Sequence, residues 1–201
     1  QFNLAKLLLS GEGINYDFDR AMENYKLAAK QGLAEAQLNL AQMYHYGPSN
    51  IQDHFKAYAW YQKSAKQGMH EAEFNLGLMA HYGRGTNQDY VQAMNHYIKA
   101  SSKSIPEADL NIAFLYHYGL GTSVDLDKSF EYFTKAAKHN FPQAQYHLGL
   151  IYQNGQPVKK DLEQANYWFE KAAEQNLDEA KLMTAALALR EPNDVDLYIV
   201  N

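Results

Sequence analysis

The chain has 201 residues, 46% of them hydrophobic, a formal net charge of −5 and no cysteine. This is ample for a packed core, and it excludes disulfides, a thiol nucleophile and thiolate metal sites. The mixed-sign charge offers no basic footprint for nucleic acid, and the apolar runs fall far short of the roughly 18 residues of a membrane span.

Spacing organises everything else. Ala36, Ala72, Ala108, Ala144 and Ala180 lie 36 residues apart, as do Gly11, Gly47, Gly83, Gly119 and Gly155, and Asp17, Asp53, Asp89, Asp125 and Asp161. A fixed period of this size predicts stacked supersecondary units. The functional question becomes which partner such a surface binds. The chain opens on Gln1 inside a repeat and reads as a segment of a longer or processed protein, so a missing targeting signal carries no information.

In chain order, residues 1–35 form a helix pair short of its first turn. Residues 36–71 are the type unit. Ala36, Leu40, Met43, Tyr44 and Gly47 share one apolar side at helical spacing, with Leu38 and Ala41 on its flanks. This is helix A, and Gly47 is expected to end it in the left-handed conformation. Asp53 stands at an N-cap position and opens helix B, which carries Ala57, Trp60-Tyr61 and Ser64-Ala65. Helix B stops at Gly68, matched by Gly32, Ser104, Asn140 and Asn176. The apolar residue after each stop, Leu33, Met69, Ile105, Phe141 or Leu177, is expected to plug the turn into the core. Copies follow at 72–107, 108–143 and 144–179. A last helix A near Asp178 forms a cap over 180–201, whose tail after Arg190 has no repeat equivalent. The expectation is one all-α domain over 1–201, a right-handed α/α solenoid of about five repeats with a capping helix.

The strings Ala-Glu-Phe-Asn-Leu-Gly (72–77), Tyr-Gly-Arg-Gly-Thr (82–86) and Asp-Leu-Glu-Gln-Ala-Asn-Tyr-Trp-Phe-Glu-Lys-Ala-Ala (161–173) resemble the Sel-one-like repeat, a tetratricopeptide-type α-solenoid. The resemblance covers nearly the whole chain in register. It implies a protein-interaction scaffold. Members serve as adaptors in membrane-protein degradation and cell-envelope assembly, in bacterial–host contact, and in immunity against secreted toxins. It favours a bacterial source and a periplasmic or secreted setting. The cysteine-rich branch is excluded here.

Helical projection leaves a separate stripe on helix A at positions 35, 39, 42 and 46. Its copies are Glu71-Asn75-Leu78-Tyr82, Glu107-Asn111-Phe114-Tyr118 and Gln143-His147-Leu150-Asn154. The candidate partner-binding residues are Asn39, Tyr46, Asn75, Leu78, Tyr82, Asn111, Phe114, Tyr118, His147 and Leu150. Asn amides can bond an extended peptide through donor and acceptor, and tyrosines supply amphipathic contact surface. A structural reading is equally open for the Asn ladder and for positions 78, 114 and 150: amides bonding neighbouring helices, apolar residues packing A against A. The tyrosines fit the binding reading better.

Catalytic motifs are weak. His45, His81 and His117 share one repeat position; on stacked helices about 8–10 Å apart they cannot share a zinc at about 2 Å. They are expected as partly charged rings favoured by the helix dipole. His70-Glu71 begins a zinc-protease motif that Phe74 interrupts, and the Gly-x-Gly loops follow helices instead of strands. The sequence implies no cofactor and no metal. The favoured reading is a non-catalytic adaptor for a protein or peptide; the alternatives are an immunity protein against a toxic enzyme and, behind both, a hydrolase.

Overall fold

The structure, a computed structural model, describes residues 1–102 and 105–189. Their regular structure is entirely helical: α1 (Phe2–Ser10), α2 (Phe18–Lys30), α3 (Ala34–Tyr46), α4 (His54–Lys66), α5 (His70–Tyr82), α6 (Tyr90–Ser101), α7 (Pro106–Tyr118), α8 (Leu126–Lys138), α9 (Pro142–Asn154), α10 (Leu162–Glu174) and α11 (Asp178–Ala188). Odd-numbered helices are A and even-numbered helices B. The protein has an all-α helical-repeat fold. Ser104 and the tail beyond Arg190 lie outside the described residues, and with them the expected stop at 104 and the end of the cap. The fold groups into two compact units, residues 1–108 and 109–201.

In the first unit, helix A is buried on two sides. Ala36, Leu40 and Met43 of α3 pack on Ala21, Met22, Tyr25 and Ala28 of α2. Leu38 and Ala41, read from sequence as flanks, pack on Ala57 and Tyr61 of α4 and on Ala72, Leu76 and Met79 of α5. Helix α3 therefore has a B helix on either side, as a stacked pair requires. In the second unit Ala113, Phe133, Ala136, Ala137, Ala144, Leu148 and Ile151 form the equivalent core.

All five aspartates cap their B helices: Oδ1 of Asp53 accepts from the N–H of Lys56 at 3.0 Å, and Asp17, Asp89, Asp125 and Asp161 repeat this at 2.9–3.0 Å. Their own N–H groups donate back to the preceding A helix, at Leu8, Tyr44, Ala80, Tyr116 and Tyr152. One residue type thus ties the end of A to the start of B. Gly83 and Gly155 leave their A helices left-handed, as expected. Gly47 does not: its φ is −68° and ψ 176°. Pro48 follows it, and a proline pushes the preceding residue into extended backbone.

The rings of helix B carry a second regularity. Gly77 and Gly149 have no room for a Cβ, which would stand 2.6 Å from the Tyr97 ring and 2.5 Å from the Phe169 ring. Three residues earlier stand Phe74, 5.9 Å from Tyr97, and Tyr146, 5.7 Å from Phe169. In the alternate copies the pair is Leu38 with Ala41 and Leu110 with Ala113. In these four copies an aromatic on one turn of helix A goes with glycine on the next and leucine with alanine, whereas in α1 Phe2, 5.7 Å from Tyr25, stands with Ala5. Close packing explains the trade, since ring volume gained at one position must be surrendered beside it.

Candidate interaction surface

In the first unit, the stripe begins with Asn39, half-buried beside the Tyr25 hydroxyl, whose pKa burial raises and Asn39 partly lowers. Tyr46 ends α3 and is 62% exposed. Its hydroxyl donates to Oδ1 of Asn75 on α5 at 3.2 Å, and Nδ2 of Asn75 donates to the Glu71 carbonyl one turn back at 2.7 Å. Asn75 is only 8% exposed, so its amide is engaged in joining α3 to α5. Leu78 is half-buried. Tyr82 ends α5 and is 56% exposed, with the Arg84 guanidinium 5.4 Å from its ring centre.

In the second unit, Asn111 and Leu150 are half-buried, and Tyr118 is 58% exposed. Phe114 and His147 sit in an aromatic cluster. Phe114 meets Phe133 edge-on at 5.2 Å and His147 edge-on at 4.9 Å, while the His147 and Phe133 rings stack at 4.9 Å and 7°. Burial, with His117 nearby, lowers the His147 pKa to about 4, so the ring is neutral at pH 7. The structure therefore leaves Tyr46, Tyr82 and Tyr118 exposed and draws Asn75, Phe114 and His147 into packing.

The histidines at the end of helix A depart from the sequence expectation. His45 is 2% exposed, and burial, then His54 and Arg84, lower its pKa to about 4; burial lowers that of His81. A neutral ring gains nothing from the helix dipole. Instead Nδ1 of His45 faces the Tyr61 hydroxyl at 3.5 Å, and His81 faces Tyr97 at the same distance. The dipole role rests on position along the helix, which says nothing of the B-helix ring lying over it.

Sequence reasoning also misses the buried polar clasps. Nε2 of Gln37 donates to the Ala29 carbonyl, and Gln67 donates to Gln37 at 2.8 Å; Gln145 and Gln175 repeat this with Ala137. At the copy of Gln37, Glu73 takes both His96 at 2.6 Å and Lys99 at 3.6 Å. The signal available in sequence is that column of copies, read side by side. No group of three or more His, Cys, Asp or Glu able to hold a metal occurs among the described residues, and none of their helices is long and apolar enough to cross a membrane.

The sequence signature of the Sel1 repeat matches residues 1–33, 34–69, 70–104, 106–141 and 142–177. These bounds begin two residues ahead of the Ala36 register, where α3 itself begins. Among solved structures, a protective antigen of uropathogenic Escherichia coli strains displaying an SLR fold is 30% identical, with TM-score 0.88, over 92% of this chain and 40% of that one. A Sel1 repeat protein from Oxalobacter formigenes is 33% identical, with TM-score 0.80, over 91% and 53%. An immunity protein from Pseudomonas aeruginosa is 24% identical, with TM-score 0.54, over 89% and 67%, a likeness of fold alone. The protein thus spans about half or less of the two more similar structures. No curated protein matches it.

Proposed function

Because the chain belongs to the Sel1 repeat family, with five repeats over residues 1–177, we propose that it is a binding module that takes a partner protein or peptide on the exposed stripe of its A helices. Sel1 repeat proteins are generally non-catalytic interaction scaffolds. One observation carries the placement: Tyr46, Tyr82 and Tyr118 recur at the repeat spacing and stay 62%, 56% and 58% exposed. The helices that bear them are otherwise largely buried. Tyrosine offers large contact area at low entropic cost and is over-represented among binding hot spots.

The test uses Tyr82→Ala and Tyr118→Ala together. Both side chains are mostly exposed, so helix content and melting temperature should hold. Phe114→Ala is a poorer probe, because its ring supports Phe133 and His147. A partner captured by the wild-type protein should be retained at least about tenfold less by the double variant, the loss of one modest hot spot. Retention at wild-type strength by a folded double variant places binding elsewhere. The number of captured proteins separates two roles: a single enzyme, held tightly and inhibited, supports an immunity protein, and several envelope or host proteins support an adaptor.

A further inference from the structure

Arg84 is the anomaly of the first unit. Two arginines fall among the described residues. Arg20 lies 4.0 Å from Asp17. Arg84 is exposed and pairs with no carboxylate among the described residues. The carboxylate at the start of α4, Asp53, is taken by Lys56 at 2.8 Å. An unpaired guanidinium is conspicuous on a protein of net charge −5.

Its position is built by the backbone. Arg84-Gly85 follows α5 and lies on the first turn of α4, so close that a Cβ on Gly85 would stand 2.2 Å from the His54 carbonyl oxygen. The φ of Gly85 is +69°, left-handed. Only glycine satisfies both demands. The loop thereby holds the guanidinium over the Tyr82 ring and close enough to Tyr46 and His45 for its charge to lower the pKa of each, against Tyr46's burial and beyond His45's. Around it stand two exposed rings, Tyr46 and Tyr82. Beneath them His45 stacks on Tyr46 at 4.1 Å and meets His54 edge-on at 5.3 Å. Nε2 of His45 and Nδ1 of His54 are buried and make no hydrogen bond.

We propose that Arg84, flanked by Tyr46 and Tyr82, is the anchor for a carboxylate of a partner peptide whose apolar neighbours lie on the two rings. This rests on the reading of the protein as a binding module and names the chemistry of what it binds. Guanidinium matches carboxylate geometry through two parallel N–H donors, which a lysine ammonium does not. The aromatic surround selects a peptide over a bare anion, because a small anion leaves the rings uncovered. The carboxylate can belong to an Asp or Glu of the peptide or to its free C-terminus.

The test selects random displayed peptides on the whole protein, then measures the enriched peptides, resynthesised, by titration. Enrichment in acidic residues beside apolar ones, or a strict need for a free C-terminus, is expected. Arg84→Gln should weaken binding about tenfold to a hundredfold, the loss of a charge-assisted bond, and Arg84→Lys should recover only part. Exchange of the peptide's Asp or Glu for the amide, or amidation of its C-terminus, identifies the source of the carboxylate. It needs no protein variant and is unaffected by any change in folding. Peptides that bind without a carboxylate, or that bind Arg84→Gln as well as wild type, overturn the proposal. If those same peptides lose affinity on Tyr82→Ala, the binding-module reading stands without it. A selection that enriches nothing overturns both.

Discussion

The two units solve one packing problem with different chemistry. In the first, the joint between helices A and B places a tyrosine hydroxyl on an imidazole, Tyr61 on His45 and Tyr97 on His81, and an amide links neighbouring A helices through Tyr46 and Asn75. In the second, Phe133 replaces the tyrosine, His147 replaces the asparagine and Phe114 stands where Gln42 stands in the first. The three rings join into one cluster. The exchange has a cost, since Nδ1 of His117 is buried without a hydrogen-bond partner. Repeat spacing fixes where a residue goes, and drift between copies decides whether polar bonds or ring stacking hold the joint.

Acid should break the comparison most. A histidine whose folded pKa lies below its unfolded value of about 6.5 takes up fewer protons folded than unfolded. Its contribution to stability is complete above pH 6.5 and is lost as pH falls toward the folded pKa of about 4. His45 in the first unit and His147 in the second both carry this liability, each on the order of 3 kcal/mol for a pKa lowered from 6.5 to about 4 at about 1.4 kcal/mol per pKa unit. The capping aspartates act elsewhere on the scale. Lys56 holds the Asp53 carboxyl below its usual value, and the N–H groups of Gln92 and Lys128 hold Asp89 and Asp125. Their contributions are therefore lost only below about pH 4. Denaturant unfolding at pH 7 and pH 4.5 should show the loss. His147→Phe, which keeps the stacked ring and cannot charge, should reduce it. A His147→Phe slope equal to wild type would mean that the ring is not the acid-labile element.

How much of this is legible in sequence depends on how local the cause is. The Asp caps are readable because donor and acceptor lie three residues apart. Gly47 is expected left-handed from its column of glycines and is extended instead, because the proline after it outweighs the column. The neutral histidines are not readable. Position near a helix end suggests a dipole partner, and only the fold places Tyr61 or Tyr97 over the ring. Tyr46, Tyr82 and Tyr118 are expected on an outer stripe and are exposed there, whereas Phe114 and His147, from the same stripe, are drawn inward by Phe133 across the helix pair. Arg84 escapes notice because its tripeptide reads as a turn, and the guanidinium's place depends on Gly85 lying against α4.

Glycine and ring size sharpen the comparison at intermediate cost. Gly77→Ala places a Cβ 2.6 Å from the Tyr97 ring and should destabilise by about 1–3 kcal/mol, as overpacking does. Phe74→Leu alone removes an aromatic contact. The two together recreate the Leu38/Ala41 arrangement of the neighbouring copy, so the double variant should be more stable than the sum of the singles by at least about 0.5 kcal/mol, the coupling of residues in contact. Additive losses in a double-mutant cycle would separate the glycine from the aromatic and leave the alternation without a packing cause.

The smallest effect isolates the hydroxyl. Tyr97→Phe in the first unit removes the oxygen facing Nδ1 of His81 and leaves the ring, so the joint becomes that of the second unit. At 3.5 Å the bond is long, and the loss should be near the low end for a neutral hydrogen bond, about 0.5 kcal/mol. Phe133→Tyr runs the experiment backwards: the copies place the new hydroxyl opposite Nδ1 of His117, which has no partner to lose. It should be neutral or stabilising by a similar amount, unless the oxygen crowds the stack with His147. Thermal or urea unfolding of the two variants therefore gives opposite signs if the hydroxyl–imidazole pair is what distinguishes the units. Two losses would show instead that the stacking of Phe133 with His147 is worth more than a satisfied His117, and that the aromatic joint is a settled alternative to the polar one.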